Sequence, residues 1–188
     1  MDYLKDIGMR AKNASVKLAL LLQDEKDNAL KACAAALLNN QDDILAANEK
    51  DVNRSRENGV KESLIDRLML SPARIKAMAD GLLEVCALHD PIGEVLSMKV
   101  RPNGLVIGEK RVPLGVIGMI YESRPNVTVD AAGLCLKTGN ATILRGGSEA
   151  FRSNKAICSI LNQALDRVGM PKGAVQLIET TDREAVDI

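Results

Sequence analysis

The sequence predicts an α/β protein: a block of N-terminal helices, then a β-hairpin arm, then the first half of an open parallel sheet. Three observations predict it. Apolar residues recur at helical spacing through about residue 90. The period drops toward two between Ile92 and Arg111. From Val112 onward, short apolar runs alternate with helical patterns in the order βαβαβ, which calls for parallel strands joined by right-handed crossovers.

The elements follow in chain order. Residues 2–22 carry Ala, Leu and Lys without a proline and predict a helix. Leu30, Cys33, Ala34, Leu37 and Leu38 form the stripe of a second. A charged helix over 41–57 ends at Asn58-Gly59. Ser71-Pro72 reads as an N-cap followed by proline at the first helical position, and Ile75, Met78, Ala79, Leu82, Leu83 and Cys86 give that helix its apolar face. Val95–Val100 and Leu105–Lys110 pair about a turn at Arg101-Pro102-Asn103-Gly104.

Gly115 to Tyr121 is nearly continuous in apolar character, as expected of a strand covered on both faces. A helix over Val127–Lys137 stops at Gly139-Asn140, and Ala141–Arg145 is the second strand. The helix after Ser148 places Ile157, Ile160, Leu161, Ala164, Leu165 and Val168 on one face, and Gly169 and Pro171 end it. Ala174–Ile178 is the third strand. Thr181 and Glu184 are spaced as a capping box, so another helix is expected to begin there. A three-stranded sheet with one free edge, and a helix cut short at Ile188, lead to the expectation that the chain is part of a longer protein.

Composition removes several classes of function. Lys+Arg and Asp+Glu are 25 each, so the formal net charge is zero, against the basic excess of nucleic-acid binders. There is no Trp, and Phe151, Tyr3 and Tyr121 are too few for a base-stacking surface. The single histidine, His89, excludes sites that need two, and no metal is expected. Cys33, Cys86, Cys135 and Cys158 form no CxxC and sit among apolar residues, as reduced thiols do. The N-terminus carries acids where a signal peptide would carry bases, and Leu18–Leu22 is far too short to span a membrane. A cytoplasmic protein is expected.

Two loops could carry chemistry. Leu144-Arg145-Gly146-Gly147-Ser148-Glu149-Ala150 leaves a strand and opens a helix, and ligands of open α/β sheets bind beyond the carboxyl ends of strands. Gly146 and Gly147 let a ligand approach the backbone, Arg145 suits phosphate oxygens, Ser148 can cap the helix or face a sugar or phosphate, and Glu149 can accept from ribose hydroxyls. The alternative is a tight turn with an N-cap and a solvated arginine. Neither GxGxxG nor a Walker A sequence is present. In Tyr121-Glu122-Ser123-Arg124-Pro125-Asn126, Arg124 could pair with a carboxylate or phosphate, and Ser123 and Asn126 could hydrogen-bond a ligand. Its alternative is a polar loop with Asn126 as N-cap. Both loops fall on the same edge of the sheet.

Val112-Pro113-Leu114-Gly115-Val116-Ile117-Gly118-Met119-Ile120 resembles the strand entering the cofactor domain of the aldehyde dehydrogenase superfamily. Leu136 to Arg145 and Gly169 to Gln176 resemble that superfamily's next two strands. The wording of Tyr121 to Asp130, of Arg145 to Ala150, and of the arm at Arg101-Pro102-Asn103-Gly104-Leu105 is similar to one branch, the gamma-glutamyl phosphate reductases, also called glutamate-5-semialdehyde dehydrogenases. The resemblance covers essentially the whole sequence. It implies a Rossmann-like sheet of the aldehyde dehydrogenase type, NADPH as cofactor, and reduction of L-glutamyl 5-phosphate to L-glutamate 5-semialdehyde with release of phosphate, in proline biosynthesis.

The resemblance also implies roles. Arg145 stands where most aldehyde dehydrogenases have a lysine contacting the cofactor ribose, with Gly146, Gly147, Ser148 and Glu149 beside that half of the cofactor. Ser123, Arg124 or Asn126 would serve the oxyanion or substrate, in a loop that departs from the family's aromatic-Asn-aromatic-Pro wording. The nucleophilic cysteine, which forms a thioester, falls beyond this chain, and none of its four cysteines matches that motif, so the chain alone is expected to be inactive. The expected organisation is 1–91 as the helical segment of the cofactor domain, 92–111 as the arm, and 112–188 as the first half of the NADPH-binding unit. Homo-oligomerisation of the full chain and functional association with glutamate 5-kinase are the implied partnerships. The competing reading is a non-catalytic nucleotide-binding or interaction module derived from the same family.

Overall fold

A computed structural model describes residues 2–180. Five helices come first: α1 (Asp2–Leu18), α2 (Gln23–Asn39), α3 (Gln41–Glu57), α4 (Glu62–Leu68) and α5 (Pro72–Ala87). The arm is β1 (Val95–Val100) and β2 (Val106–Lys110). The sheet follows as β3 (Val116–Ile120), α6 (Pro125–Lys137), β4 (Ala141–Arg145), a single 3-10 turn at Ser148–Ala150, α7 (Phe151–Arg167) and β5 (Val175–Leu177). The expected capping box at Thr181 and Glu184 lies outside the described residues. No described helix is long and apolar enough to cross a membrane.

β3, β4 and β5 pair in parallel in that order, with Ile120 opposite Arg145 and Leu144 opposite Leu177. Right-handed crossovers running in one direction put α6 and α7 on one face of the sheet. The other face is left to α1, where Gln176 donates to the Ile7 carbonyl at 2.8 Å. β4 is therefore covered on both sides. β3 is not, and Ile120 is exposed, which corrects the expectation that its apolar run means two covered faces. Among the described residues both outer strands lack a further partner, where the sequence suggested one free edge.

The N-terminal helices and the sheet share one core. Leu18 of α1, Leu30 and Leu37 of α2, Ile75 of α5, Leu136 of α6, Leu144 of β4 and Ile157 and Leu161 of α7 are all buried in it. Not every residue assigned to an apolar stripe reaches it. Leu38, Leu83 and Val168 are exposed, and α1 ends at Leu18 rather than 22. Ser71 does cap α5, accepting from the Arg74 amide, with Pro72 at the first helical position. α6 and α7 end alike. Asn140 N–H returns to the Cys135 carbonyl at 2.8 Å and Met170 N–H to Leu165 at 3.0 Å, across glycines at φ 68° and 76°. The arm stands off the core, with every residue of both strands exposed except Ser97, which is half-buried.

Two lysines are sealed inside the helical part. Lys137 Nζ of α6 donates to Asp27 Oδ1 of α2 at 2.6 Å and to the Cys86 carbonyl of α5 at 3.0 Å. Lys26 pairs with Asp90, whose other oxygen accepts from the Ile92 amide at 3.0 Å. Burial pushes the Asp90 carboxyl up, but the bonds from Lys26 and Ile92 outweigh it and hold the group below its ordinary value. Removing one partner of such a pair leaves a charge in a place without water. Lys137→Met should therefore cost about 3–5 kcal/mol, and the double variant Lys137→Met/Asp27→Leu should recover most of that loss. Urea denaturation of the three proteins checks this; equal stability of the single variant and the unchanged protein would refute it.

Candidate functional site

The two loops singled out in the sequence meet at the carboxyl ends of β3 and β4. Tyr121 N–H, just past β3, donates to the Arg145 carbonyl at 3.1 Å, so the parallel ladder runs one residue beyond β3. The Ser123 hydroxyl then donates to Glu149 Oε2 at 2.6 Å and closes one loop onto the other. The bond from Ser123, the carboxylate's own backbone amide and the Ser148 hydroxyl hold Glu149 below its usual range, with the Arg54 charge adding to them. The carboxylate is ionised, and part of its acceptor capacity is already taken by these bonds.

Space in the loop is scarce. A Cβ on Gly147 would lie 2.7 Å from Ser123 Oγ and 2.8 Å from Glu149 Oε2. One on Gly146 would collide with the Asn154 carboxamide and sit 3.1 Å from the Tyr121 ring. That ring is anchored by its hydroxyl to Thr128 Oγ1 at 2.7 Å, and Thr128 bonds Asn154 at 3.0 Å. Burial pushes the Tyr121 phenol up to about 12, so it stays protonated.

Ser148 does not cap α7. It opens the 3-10 turn and is exposed, with no side-chain cap bond made there. The cap comes from α3: Asp51 Oδ1 accepts from Arg152 N–H at 3.3 Å, and Oδ2 accepts from Ser153 N–H at 2.7 Å and its hydroxyl at 2.8 Å. A carboxylate at a helix N-terminus satisfies free amides and complements the dipole. Asn126 is likewise not the N-cap of α6. Arg124 holds that position, Pro125 follows at the first helical position, and Asn126 in the first turn donates to Asp130 at 3.3 Å.

The site includes residues that the sequence reading did not single out. A cavity of about 710 Å³ lies beside the paired loops, lined by Lys61, Leu64 and Arg67 as well as Ser123, Arg124 and Glu149. Arg54 and Ser148 flank a smaller hollow next to it. One signal for Asp51 was present: Ile44, Asn48, Asp51, Val52 and Ser55 recur at helical spacing, so polar residues occupy a buried stripe of the charged helix. Nothing local marks Lys61 or Arg67, because only the packing of α4 brings them to this edge.

The architecture is an open α/β fold whose two polar loops meet at the carboxyl edge of a parallel sheet. Residues 4–188 match the aldehyde dehydrogenase family, and the chain belongs to that family. Within it, the chain is similar to gamma-glutamyl phosphate reductases. Identity is 61% to that of Caldanaerobacter subterraneus subsp. tengcongensis, over 95% of this chain and 43% of the relative. It is 60% to that of Moorella thermoacetica, over 96% of this chain and 43% of the relative. The crystal structure of the Thermotoga maritima gamma-glutamyl phosphate reductase superposes with a TM-score of 0.95 at 46% identity, covering 97% of this chain and 44% of that one. A probable aldehyde dehydrogenase from Listeria monocytogenes shares the fold at 18% identity, with a TM-score of 0.74 over 100% of this chain and 38% of that one. The chain spans less than half the length of the curated relatives it matches.

Asp51→Ala should destabilise the protein by about 2–3 kcal/mol, since it removes a cap and leaves buried donors unpaired. It should also loosen the Arg145–Ala150 loop, read as faster amide exchange there than in the sheet. Exchange unchanged at that loop would refute the role. For Glu149, the lowered carboxyl means that its bond to Ser123 is fully present above the ordinary value of 4.5 and is lost as pH falls through the lower, folded value. A carbon-13 titration of the Glu149 carboxyl should show a midpoint below 4.5, and Ser123→Ala should raise it.

Proposed function

We propose that this sequence is the cofactor-side part of a longer, NADP-dependent glutamate-5-semialdehyde dehydrogenase. The whole enzyme reduces L-glutamyl 5-phosphate to L-glutamate 5-semialdehyde and releases phosphate, a step of proline biosynthesis. The observation that carries the reading is the joining of the two loops by Ser123 and Glu149 at one carboxyl edge, because a dinucleotide and its substrate must meet there.

The donor set suits a phosphorylated sugar. Arg145 offers a cation to phosphate, Ser148 an exposed hydroxyl, Glu149 a second carboxylate oxygen for ribose hydroxyls, and Gly146 and Gly147 keep side chains out of the approach. NADPH, when bound, supplies the hydride. On the substrate side, Ser123 is committed to Glu149 and Asn126 to Asp130. Arg124 is exposed, and among the described residues no hydrogen bond to its guanidinium is found, which favours it as the group facing an anionic substrate.

The four cysteines suit no nucleophilic role. Burial pushes the thiols of Cys33 and Cys158 up to about 12 and raises those of Cys135 and Cys86, the reverse of what thiolate catalysis needs. We assign the thioester-forming cysteine to the remainder of the longer polypeptide. The apolar, exposed arm, with Val95, Leu96, Met98 and Ile107 in water, suits self-association of that polypeptide, a cytoplasmic enzyme working downstream of glutamate 5-kinase.

The test is NADPH formation from glutamate 5-semialdehyde and NADP⁺ by the whole polypeptide. It should depend on inorganic phosphate, and the isolated 188-residue chain should show none. Activity without phosphate, or activity of the isolated chain, would overturn the reading. Arg145→Ala should weaken NADPH binding about 10- to 100-fold, as expected for loss of a charge-assisted bond, and NADH binding less. Fluorescence titration of both cofactors checks this.

A further inference from the structure

We propose that α4 supplies an anion clamp to this site: Arg67 and Lys61, acting with Arg124, grip an oxyanion of the acyl-phosphate substrate. The inference rests on the proposed function and adds to it two residues far from either loop in sequence.

Placement is the first argument. Arg67 and Arg124 both line the 710 Å³ cavity and also a second hollow of about 360 Å³, so these two residues are shared by the two spaces. Lys61 lines the larger cavity beside Ser123. These positions are held from below. Ile65 and Leu68 of α4 are buried against Val52 of α3 and Ala150 of the 3-10 turn. Asn48 pins the end of α4, donating to the Leu68 carbonyl at 2.9 Å and accepting from Leu70 N–H at 2.7 Å. The helix that carries the cations is thus packed onto the same turn that carries Ser148 and Glu149. A scaffold fixed on its inner face with charges on its outer one is what precise placement of a ligand requires.

Charge is the second argument. Around the larger cavity stand three cations, Lys61, Arg67 and Arg124, and two carboxylates, Glu122 and Glu149. Glu149 is already held by Ser123. Glu122 is 4.0 Å from Arg67, and its side chain is 81% exposed, a pair at the limit of range that water screens heavily. Such a contact is easily surrendered to an incoming group of higher charge. In the second hollow, by contrast, Arg74 is bound to Asp66 and to the Met69 carbonyl, and Asp130 to Asn126, so that side has no uncommitted cation other than the shared pair.

Chemistry is the third. A neutral aldehyde would gain nothing from such a cluster. An acyl phosphate carries its charge on the group that departs, and a guanidinium fork meets those oxygens in pairs. Glutamyl phosphate also carries an α-carboxylate, an oxyanion of the same recognition chemistry, and kinetics separate the two.

The experiment uses the whole polypeptide in the direction that consumes inorganic phosphate. Arg67→Ala should raise KM for phosphate about tenfold or more, as expected for a lost charge-assisted bond, with kcat at saturating phosphate nearly unchanged and the dissociation constant for NADPH unaltered. Arg67→Lys should recover part of the loss. A rise confined to KM for the semialdehyde would place the grip on the α-carboxylate instead. If neither constant moves in Arg67→Ala or in Lys61→Ala/Arg67→Ala, the clamp is refuted while the enzyme remains what was proposed. Phosphorus-31 line broadening of inorganic phosphate by the unchanged protein, lost in Arg67→Ala, gives a readout that does not depend on turnover. No broadening by either protein would refute the clamp as a phosphate site. Activity that ignores phosphate would refute the functional reading itself.

Discussion

One buried carboxylate organises the end of the molecule where the site is built. Asp51 is 1% exposed, and its two oxygens take up the first free amides of α7 and the Ser153 hydroxyl. Without it the start of α7 would carry unpaired donors in a place that water does not reach. With it, α3 is tied to α7 across about one hundred residues of chain, and Asn48, one turn earlier, extends the tie to α4 and to Ser153. The Arg145–Ala150 loop has its length and direction set between that cap and the end of β4. Ser148 is thereby released from capping, and its exposed hydroxyl turns to Glu149 instead.

The lysine pairs do a different task at the other end. Lys137 joins α6 to α2 and α5, and Lys26 joins α2 to Asp90 at the foot of the arm. Hydrophobic packing alone would hold the helices together but would not set their register along one another. A buried pair has few alternatives of comparable energy, since any slip strands a charge. The arm therefore leaves the body from a fixed point although its own strands touch almost nothing. Its apolar residues on both faces are a surface that water disfavours.

These two ends bear on the site in one way. The helical segment is more than a cover for the sheet. It contributes Asp51 and Asn48 as supports, Lys61 and Arg67 as charges on the larger cavity, and Arg54 as a charge on the hollow beside it. The shared core makes this possible, because helices from the first half of the chain and strands from the second pack as one body.

Much of this was legible from the chain alone. Helical period, the Ser71-Pro72 start, the glycine stops after α6 and α7, and the βαβαβ alternation are local effects, written in neighbouring residues by backbone geometry and turn chemistry. The loops at Tyr121–Asn126 and Arg145–Ala150 were legible for the same reason, since a strand end followed by a helix start predicts which edge they share. What tertiary structure alone decided depends on contacts between residues distant in sequence. No local rule could give the cap of α7 to Asp51 rather than Ser148, commit Glu149 to Ser123, or bring α4 to the cavity. A buried polar group takes whichever partner the packed chain delivers, and that partner is chosen by the folding of the whole rather than by its neighbours.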